Sequence, residues 1–148
     1  MNYVAGYNEF HRSHLALVFK LLHVIPKKNF IPDIYSIKEI FRVLKAGGRI
    51  CIFPEGTRSR DGYPKKAKSG VGLIARNAQC DVVPTAICVE ERGKFGTKVF
   101  VKFGEAIKYE DMNFTEDGGT KENKEVANMI MDRIVLLWRE CRKQCKTK

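Results

Sequence analysis

The segment FPEGTRS, residues 53–59, holds the side chains best suited to bind an anion. The guanidinium of Arg58 is a planar fork that donates two parallel hydrogen bonds to a phosphate, which the point charge of a lysine cannot do. Gly56 lets the backbone approach a ligand closely or adopt a positive φ. The chemistry that these residue types predict is phosphate binding.

Three neighbours would assist Arg58. Thr57 and Ser59 add hydroxyl donors, and the Glu55 carboxylate is placed to hold Arg58 or a backbone amide in position. The alternative interpretation is a solvated turn in which Arg58 pairs with Glu55 or with Asp61, since exposed ion pairs of this kind contribute little.

A second basic segment follows, ahead of a predicted helix start at Ser69-Gly70. Helix N-termini flanked by lysines attract anions. For Lys65 and Lys66 a solubilising charge run is the better interpretation, whereas Lys68 remains open between that role and ligand binding. Pro84 stands inside an apolar run, where proline predicts a kink in the strand.

Periodicity defines the elements that must position these residues. It predicts helices over residues 9–24, 34–46, 69–78 and 120–145, and strands over 49–53, 82–89 and 98–103. Asp33 is the expected N-cap of the second helix, and Gly47 its left-handed stop. The last two strands form a hairpin with Val99, Val101 and Phe103 facing inward. This order predicts an α/β sandwich, a mixed sheet flanked by helices.

In such sheets, ligands bind outside the carboxyl ends of the strands. The strand at 49–53 leads directly into the FPEGTRS segment, so this is the expected site. At 148 residues the chain is predicted to be a single domain, residues 1–148.

The chain carries a formal net charge of +10, which attracts anionic partners. Nucleic acid is not among the expected partners, because the aromatic residues occur at buried spacings rather than between basic ones. The longest apolar stretch near the start is interrupted by Lys20 and His23, so any membrane contact is expected to be peripheral.

The five cysteines form no Cys-x-x-Cys pair. Cys51 and Cys88 stand in predicted strands and are expected to be small buried hydrophobes. Cys141 and Cys145 are one helical turn apart with no histidine nearby, so no metal site is predicted.

The FPEGTRS segment resembles the third motif of the glycerolipid acyltransferases, the family of 1-acyl-glycerol-3-phosphate acyltransferases. The VPTA run at 83–86 resembles the fourth motif, and the segment at 68–75 is similar to the family's Lys-x-Gly helix. The LKAGG run at 44–48 matches the segment that usually leads into the strand before the third motif. The resemblance covers roughly residues 10–108. It implies a fold like that of glycerol-3-phosphate acyltransferase.

The resemblance also implies roles at the site. Glu55, Gly56 and Arg58 inherit the binding of the glycerol phosphate, with Thr57 and Ser59 in support. Lys68 and Pro84 complete the expected substrate-binding set through their motifs.

The family's catalytic pair, His-x-x-x-x-Asp, is missing from the sequence. It pairs a histidine base with an aspartate that orients it. The residues five positions beyond the three histidines are Ala16 after His11, Phe19 after His14 and Lys28 after His23. The catalytic residues are therefore unknown, and the chain is expected to be truncated at its N-terminus, without the family's first strand and helix.

The implied reaction moves a fatty acyl group from acyl-CoA or acyl carrier protein to 1-acyl-glycerol-3-phosphate, giving phosphatidic acid for phospholipid biosynthesis. No cofactor is implied, and the expected location is cytoplasmic, peripheral at the inner face of a membrane. This chain is expected to be inactive without the catalytic pair. The alternative is a non-catalytic module that binds anionic lipid or a membrane surface through Arg58, the lysine loop and the basic end of the last helix.

Overall fold

The structure is a computed structural model. It describes residues 2–6, 24–27, 34–57, 59, 61–91 and 95–146. The chain divides into two compact units, Met1–Phe53 and Pro54–Lys148.

The first unit contains a parallel sheet of three strands in the order β2-β1-β3. Its strands are β1 (Asn2–Gly6), β2 (Val24–Lys27) and β3 (Ile50–Cys51). Tyr3 in the middle strand lies opposite Val24 on one side and Cys51 on the other. The predicted strand at 49–53 is thus confirmed in position but is only two residues long.

Two of these strands correct the sequence interpretation of the N-terminal region. No element was predicted at the position of β1. Val24, the last residue of the helix predicted over 9–24, is the first residue of β2. Pro26 does not terminate a helix but lies within β2, which is an edge strand of the described sheet, the position where proline is tolerated. The remaining residues of that predicted helix lie outside the described residues.

The helix α1 (Ile34–Lys45) confirms the helix predicted over 34–46, and Ile40 and Val43 are its buried apolar residues. Gly47 adopts a φ of 73°. The amides of Gly47 and Gly48 donate to the carbonyls of Leu44 and Val43, at 3.0 and 2.9 Å. The left-handed glycine therefore ends the helix as expected, while the predicted cap Asp33 lies outside the described residues.

The second unit contains α2 (Gly70–Ala78), the antiparallel hairpin of β4 (Thr85–Val89) and β5 (Val99–Phe103), and the long helix α3 (Thr120–Lys146). All four follow the predicted order. The strand predicted over 82–89 begins only after Pro84, and Val82 pairs separately with Ile107. The predicted interruption at Pro84 is confirmed.

The predicted inward face of β5 is wrong. Val99, Val101 and Phe103 are 58%, 50% and 67% exposed. Phe100 lies opposite Cys88 instead, and both pack with residues of α3. Alternation gives the period of a strand, but the packing of α3 decides which side is covered.

The main core of the second unit lies between α2 and α3. Ala75, Met112, Val126 and Ile130 form one buried cluster there. Next to this core, Arg76 pairs with Glu122, donates to the Gly118 carbonyl and lies 4.9 Å from the centre of the Phe114 ring. Side chains of both helices therefore fix α2 against α3.

Candidate anion-binding site

The loop over residues 54–68 is closed at its base by two hydrogen bonds. The Glu55 carboxylate accepts the backbone amide of Lys65 at 2.9 Å. The backbone amide of Lys68 donates to the Pro54 carbonyl, also at 2.9 Å. These bonds bring the start of the FPEGTRS segment against the lysine segment that follows it.

Within this closed loop, Gly56 and Lys68 are in contact. Gly56 has a φ of 63°, a conformation that favours glycine. A Cβ atom at Gly56 would lie 3.0 Å from Cδ and 3.4 Å from Nζ of Lys68. The absence of a side chain therefore makes room for the lysine stem and sets its ammonium beside the segment.

The backbone after Lys68 presents further donors. Ser69 precedes the first turn of α2 with helical dihedrals, and its hydroxyl makes no capping hydrogen bond to that turn. Amides in the first turn of a helix have no partners within the helix, and they carry partial positive charge. Lys68 therefore stands two residues before the start of α2, where a helix start was predicted, and an anion held by its ammonium would lie near these amides.

The hydroxyl of Ser59 is engaged within its own turn. Its Oγ lies 2.6 Å from an Asp61 carboxylate oxygen and 2.7 Å from the Tyr63 carbonyl, and it accepts the Gly62 amide at 3.0 Å. The hydrogen bonds from Ser59 and from the Tyr63 amide lower the pKa of the Asp61 carboxyl. Ser59 therefore shapes the turn, and Asp61 is engaged by that turn.

The other predicted residues divide into three cases. Thr57 is exposed, with its side chain open to a ligand. Arg58 lies outside the described residues. Pro84 is buried, its carbonyl accepts the Gly104 amide at 2.9 Å, and it lines a groove of about 490 Å³ beside α3. The contacts of Pro84 are thus with the hairpin and α3, whereas Glu55, Gly56 and Lys68 share the loop.

Two residues that anchor the loop were missed from the sequence. The Tyr63 ring stacks at a tilt on Trp138 of α3, with ring centres 5.4 Å apart. The Lys124 ammonium donates to the carbonyl of Ala67, a buried residue just before Lys68. An aromatic residue within an otherwise polar loop was the one available signal for Tyr63. Lys124 had no signal, because its contact spans 57 residues.

Two features are absent from the residues that the structure describes. Within the described ranges, no three histidine, cysteine or acidic side chains are grouped so that they could hold a metal ion. In the same residues, no helix has the length and apolar character needed to cross a bilayer.

Replacing Glu55 by alanine is expected to open the base of the loop. The Lys65 amide would lose a charge-assisted acceptor worth about 1.5–3 kcal/mol, which corresponds to roughly 10- to 100-fold faster hydrogen exchange at that amide. Glu55→Gln is the matched control, because its amide oxygen can still accept the bond. Unchanged exchange in Glu55→Ala would show that this bond does not close the loop.

Comparison with known proteins identifies a family that the chain matches. A family model described as acyltransferase matches residues 3–88, a range that includes the whole FPEGTRS segment. In fold, the chain is similar to the crystal structure of the 1-acyl-sn-glycerophosphate acyltransferase PlsC from Thermotoga maritima. The TM-score is 0.58 at 24% identity, over 93% of this chain and 58% of that one.

Two curated relatives carry the name 1-acyl-sn-glycerol-3-phosphate acyltransferase. The chain is 31% identical over 94 residues to the 1-acyl-sn-glycerol-3-phosphate acyltransferase of Bacillus subtilis, covering 64% of this chain and 46% of that protein. It is 33% identical over 69 residues to the chloroplastic enzyme LPAT1 of Arabidopsis thaliana, covering 45% of this chain and 19% of that protein. The chain therefore belongs to the acyltransferase family of the 1-acyl-glycerol-3-phosphate acyltransferases. It spans less than half the length of these curated relatives.

Proposed function

We propose that the loop over residues 54–68 binds the phosphate of a 1-acyl-glycerol-3-phosphate acceptor. The observation that carries the proposal is the contact between Gly56 and the Lys68 side chain inside a loop closed by Glu55. Arg58 supplies the fork for two phosphate oxygens, and Lys68 supplies a second cation. Thr57 adds a hydroxyl donor, and Ser59 maintains the turn.

The reaction proposed for the protein is acyl transfer from acyl-CoA or acyl carrier protein to this acceptor, giving phosphatidic acid. Anchoring the phosphate fixes the distance from the loop to the free hydroxyl of the acceptor, which reduces the entropic cost of bringing that hydroxyl to the thioester. The hydroxyl attacks the acyl carbonyl, its proton passes to a base, and the carrier thiol leaves. Pro84 is proposed to complete the substrate-binding set from the groove beside α3.

A second candidate function is favoured by one sequence observation. No histidine in the 148 residues is followed at the required spacing by an aspartate, so no base of the family's type is present. We therefore propose that this chain by itself binds the acceptor or an anionic membrane surface without turnover. The net charge of +10 and the basic residues near the end of α3 support binding to an anionic membrane surface, and the location that we propose is the cytoplasmic face. Those residues are Arg139, Arg142, Lys143 and Lys146.

Paired binding and turnover measurements on the 148-residue chain test both candidates. We expect calorimetric titration to show at least tenfold tighter binding of 1-acyl-glycerol-3-phosphate than of lysophosphatidylcholine, because a phosphate monoester offers more charge and more acceptor oxygens than a choline diester. Equal affinity for the two lipids would refute the phosphate site.

Turnover separates the two candidates. With a long-chain acyl-CoA and 1-acyl-glycerol-3-phosphate, we expect no phosphatidic acid above the uncatalysed rate. Formation of phosphatidic acid would refute the non-catalytic candidate for this chain and would require a base other than the family's histidine.

A further inference from the structure

Three thiols meet between the hairpin and α3, one from the hairpin and two from a distant part of the sequence. Cys88 belongs to β4, whereas Cys141 and Cys145 are one turn apart in α3. Their exposed fractions are 3%, 0% and 8%, and Phe100 and Trp138 pack against them. The sequence offered Cys88 as an isolated buried residue, so this cluster is a product of tertiary packing.

The contacts of the cluster fix the two sides against one another. The Cys88 thiol donates to the Trp138 carbonyl of α3 at 3.7 Å, and the Cys141 thiol donates to the Phe100 carbonyl of β5 at 3.7 Å. Each side of the interface thus supplies one sulfur donor and one backbone acceptor. All three thiols belong to one buried cluster, in which Cys88 comes from the hairpin and Cys141 and Cys145 come from α3.

The arrangement of the three thiols fits a disulfide between two of them better than it fits a metal site. In the part of the chain that the structure describes, these three thiols are not grouped so that they could hold one ion together. Neighbouring thiols from two separate elements can still join in pairs. All three are free cysteines in this structure.

We propose that Cys88 forms a reversible disulfide with either Cys141 or Cys145, tying the hairpin to α3. The oxidant is a low-molecular-weight disulfide. One protein thiolate attacks a sulfur of the oxidant, forms a mixed disulfide and releases one small thiol. The second protein thiolate then attacks the protein sulfur of that mixed disulfide and releases the other small thiol. The two protein thiols lose two electrons and two protons, which leave in the two small thiols.

The environment of the cluster sets the rate of this exchange. Burial, together with the neighbouring Cys141 and Cys145, raises the pKa of Cys88 to about 12. Since the thiolate is the nucleophile, the reaction is slow near neutral pH and accelerates as pH rises. Cys145, one residue before the end of α3, is the most exposed of the three thiols and is therefore the expected first point of attack on the oxidant.

The test uses the 148-residue chain in a Cys51→Ser, Cys80→Ser background, with oxidised glutathione under native conditions. Trypsin then releases Cys88 in peptide 77–92, Cys141 in peptide 140–142 and Cys145 in peptide 144–146, so mass spectrometry identifies the pairing. We expect peptide 77–92 to be linked to one of the other two, with a Tm higher than that of the reduced protein by roughly 5–10 °C. Dithiothreitol should reverse both changes.

Three variants make the outcome decisive. Single Cys141→Ser and Cys145→Ser proteins should each still form a linkage to Cys88, through the remaining helix cysteine. Cys88→Ser should form none, and its reduced form checks that folding survives the change. Free thiols after oxidation, glutathione adducts without linkage, or disulfides between two chains would overturn the proposal. It is independent of acyl transfer, so its failure would not bear on the phosphate site.

Discussion

Replacing Gly72 by alanine is expected to lower the free energy of unfolding by about 3 kcal/mol, the upper range for overpacking a close contact. A Cβ atom at Gly72 would overlap the backbone carbonyl oxygen of Asn123 in α3, and would lie 2.9 Å from its carbonyl carbon and 3.1 Å from its Cα. These atoms belong to a helix backbone, so they cannot move aside as a side chain would. The two helices would have to separate, which opens the core around Ala75 and Ile130.

Gly70→Ala is the matched control, because it makes the same chemical change at the start of the same helix. A Cβ atom at Gly70 would meet nothing within 4 Å. Alanine is also a better helix former than glycine by up to about 1 kcal/mol. Urea unfolding followed by circular dichroism should therefore show Gly70→Ala to be at least as stable as the parent. Equal stability of the Gly72→Ala protein would show that α2 and α3 do not pack at this distance.

Replacing Arg58 by alanine is expected to weaken binding of 1-acyl-glycerol-3-phosphate by roughly 10- to 100-fold. A charge-assisted hydrogen bond contributes about 1.5–3 kcal/mol, and each 1.4 kcal/mol is a factor of ten in affinity. Arg58→Lys keeps the charge but removes the fork, so an intermediate loss is expected. Calorimetric titration with the acceptor lipid measures all three proteins.

Lysine variants separate a specific site from a general charge effect. Lys68→Ala removes the ammonium that lies against Gly56 and should weaken binding about tenfold. Lys66→Ala removes the same charge from an exposed position two residues earlier, and should leave affinity within about twofold of the parent. If Lys66→Ala and Arg58→Ala reduced affinity equally, the lipid would be held by the net positive charge rather than by this loop.

The helices were predictable because their signals are local. The apolar stripe of α1 and the left-handed Gly47 both lie within a few residues of the structure they determine. The same holds for α3, which was predicted over 120–145 and buries the apolar residues Val126, Ile130 and Cys141. Such patterns need no knowledge of the rest of the chain.

The strands were less predictable because a strand depends on its partners. β2 contains a proline and pairs with β1, a segment about 20 residues earlier, so neither strand has a strong signal by itself. In β5, both faces carry apolar residues, and the alternation of Val99, Phe100 and Val101 does not indicate which side α3 covers. That choice is made by the packing of α3, which covers the face that carries Cys88 and Phe100.

The residue types of the candidate site can be read from the sequence, whereas their contacts cannot. Sequence reasoning identified Glu55, Gly56 and Lys68 as separate features of one region. Their meeting depends on the bonds that close the loop, which join residues ten positions apart in the case of Glu55 and Lys65. The role of Ser59 in shaping its turn follows from the same local folding rather than from ligand chemistry.

The closed base of the loop has a consequence for how this family can diversify. Because Glu55 and Pro54 hold the lysine segment directly, the chain over residues 60–64 can change in length without displacing Gly56 from Lys68. Lengthening a flexible loop is thermodynamically inexpensive, at about 0.6 kcal/mol for each doubling. Insertions and deletions between relatives should therefore accumulate in residues 60–64, while the two tied ends keep their contact with each other and their separation in sequence from the helix after them.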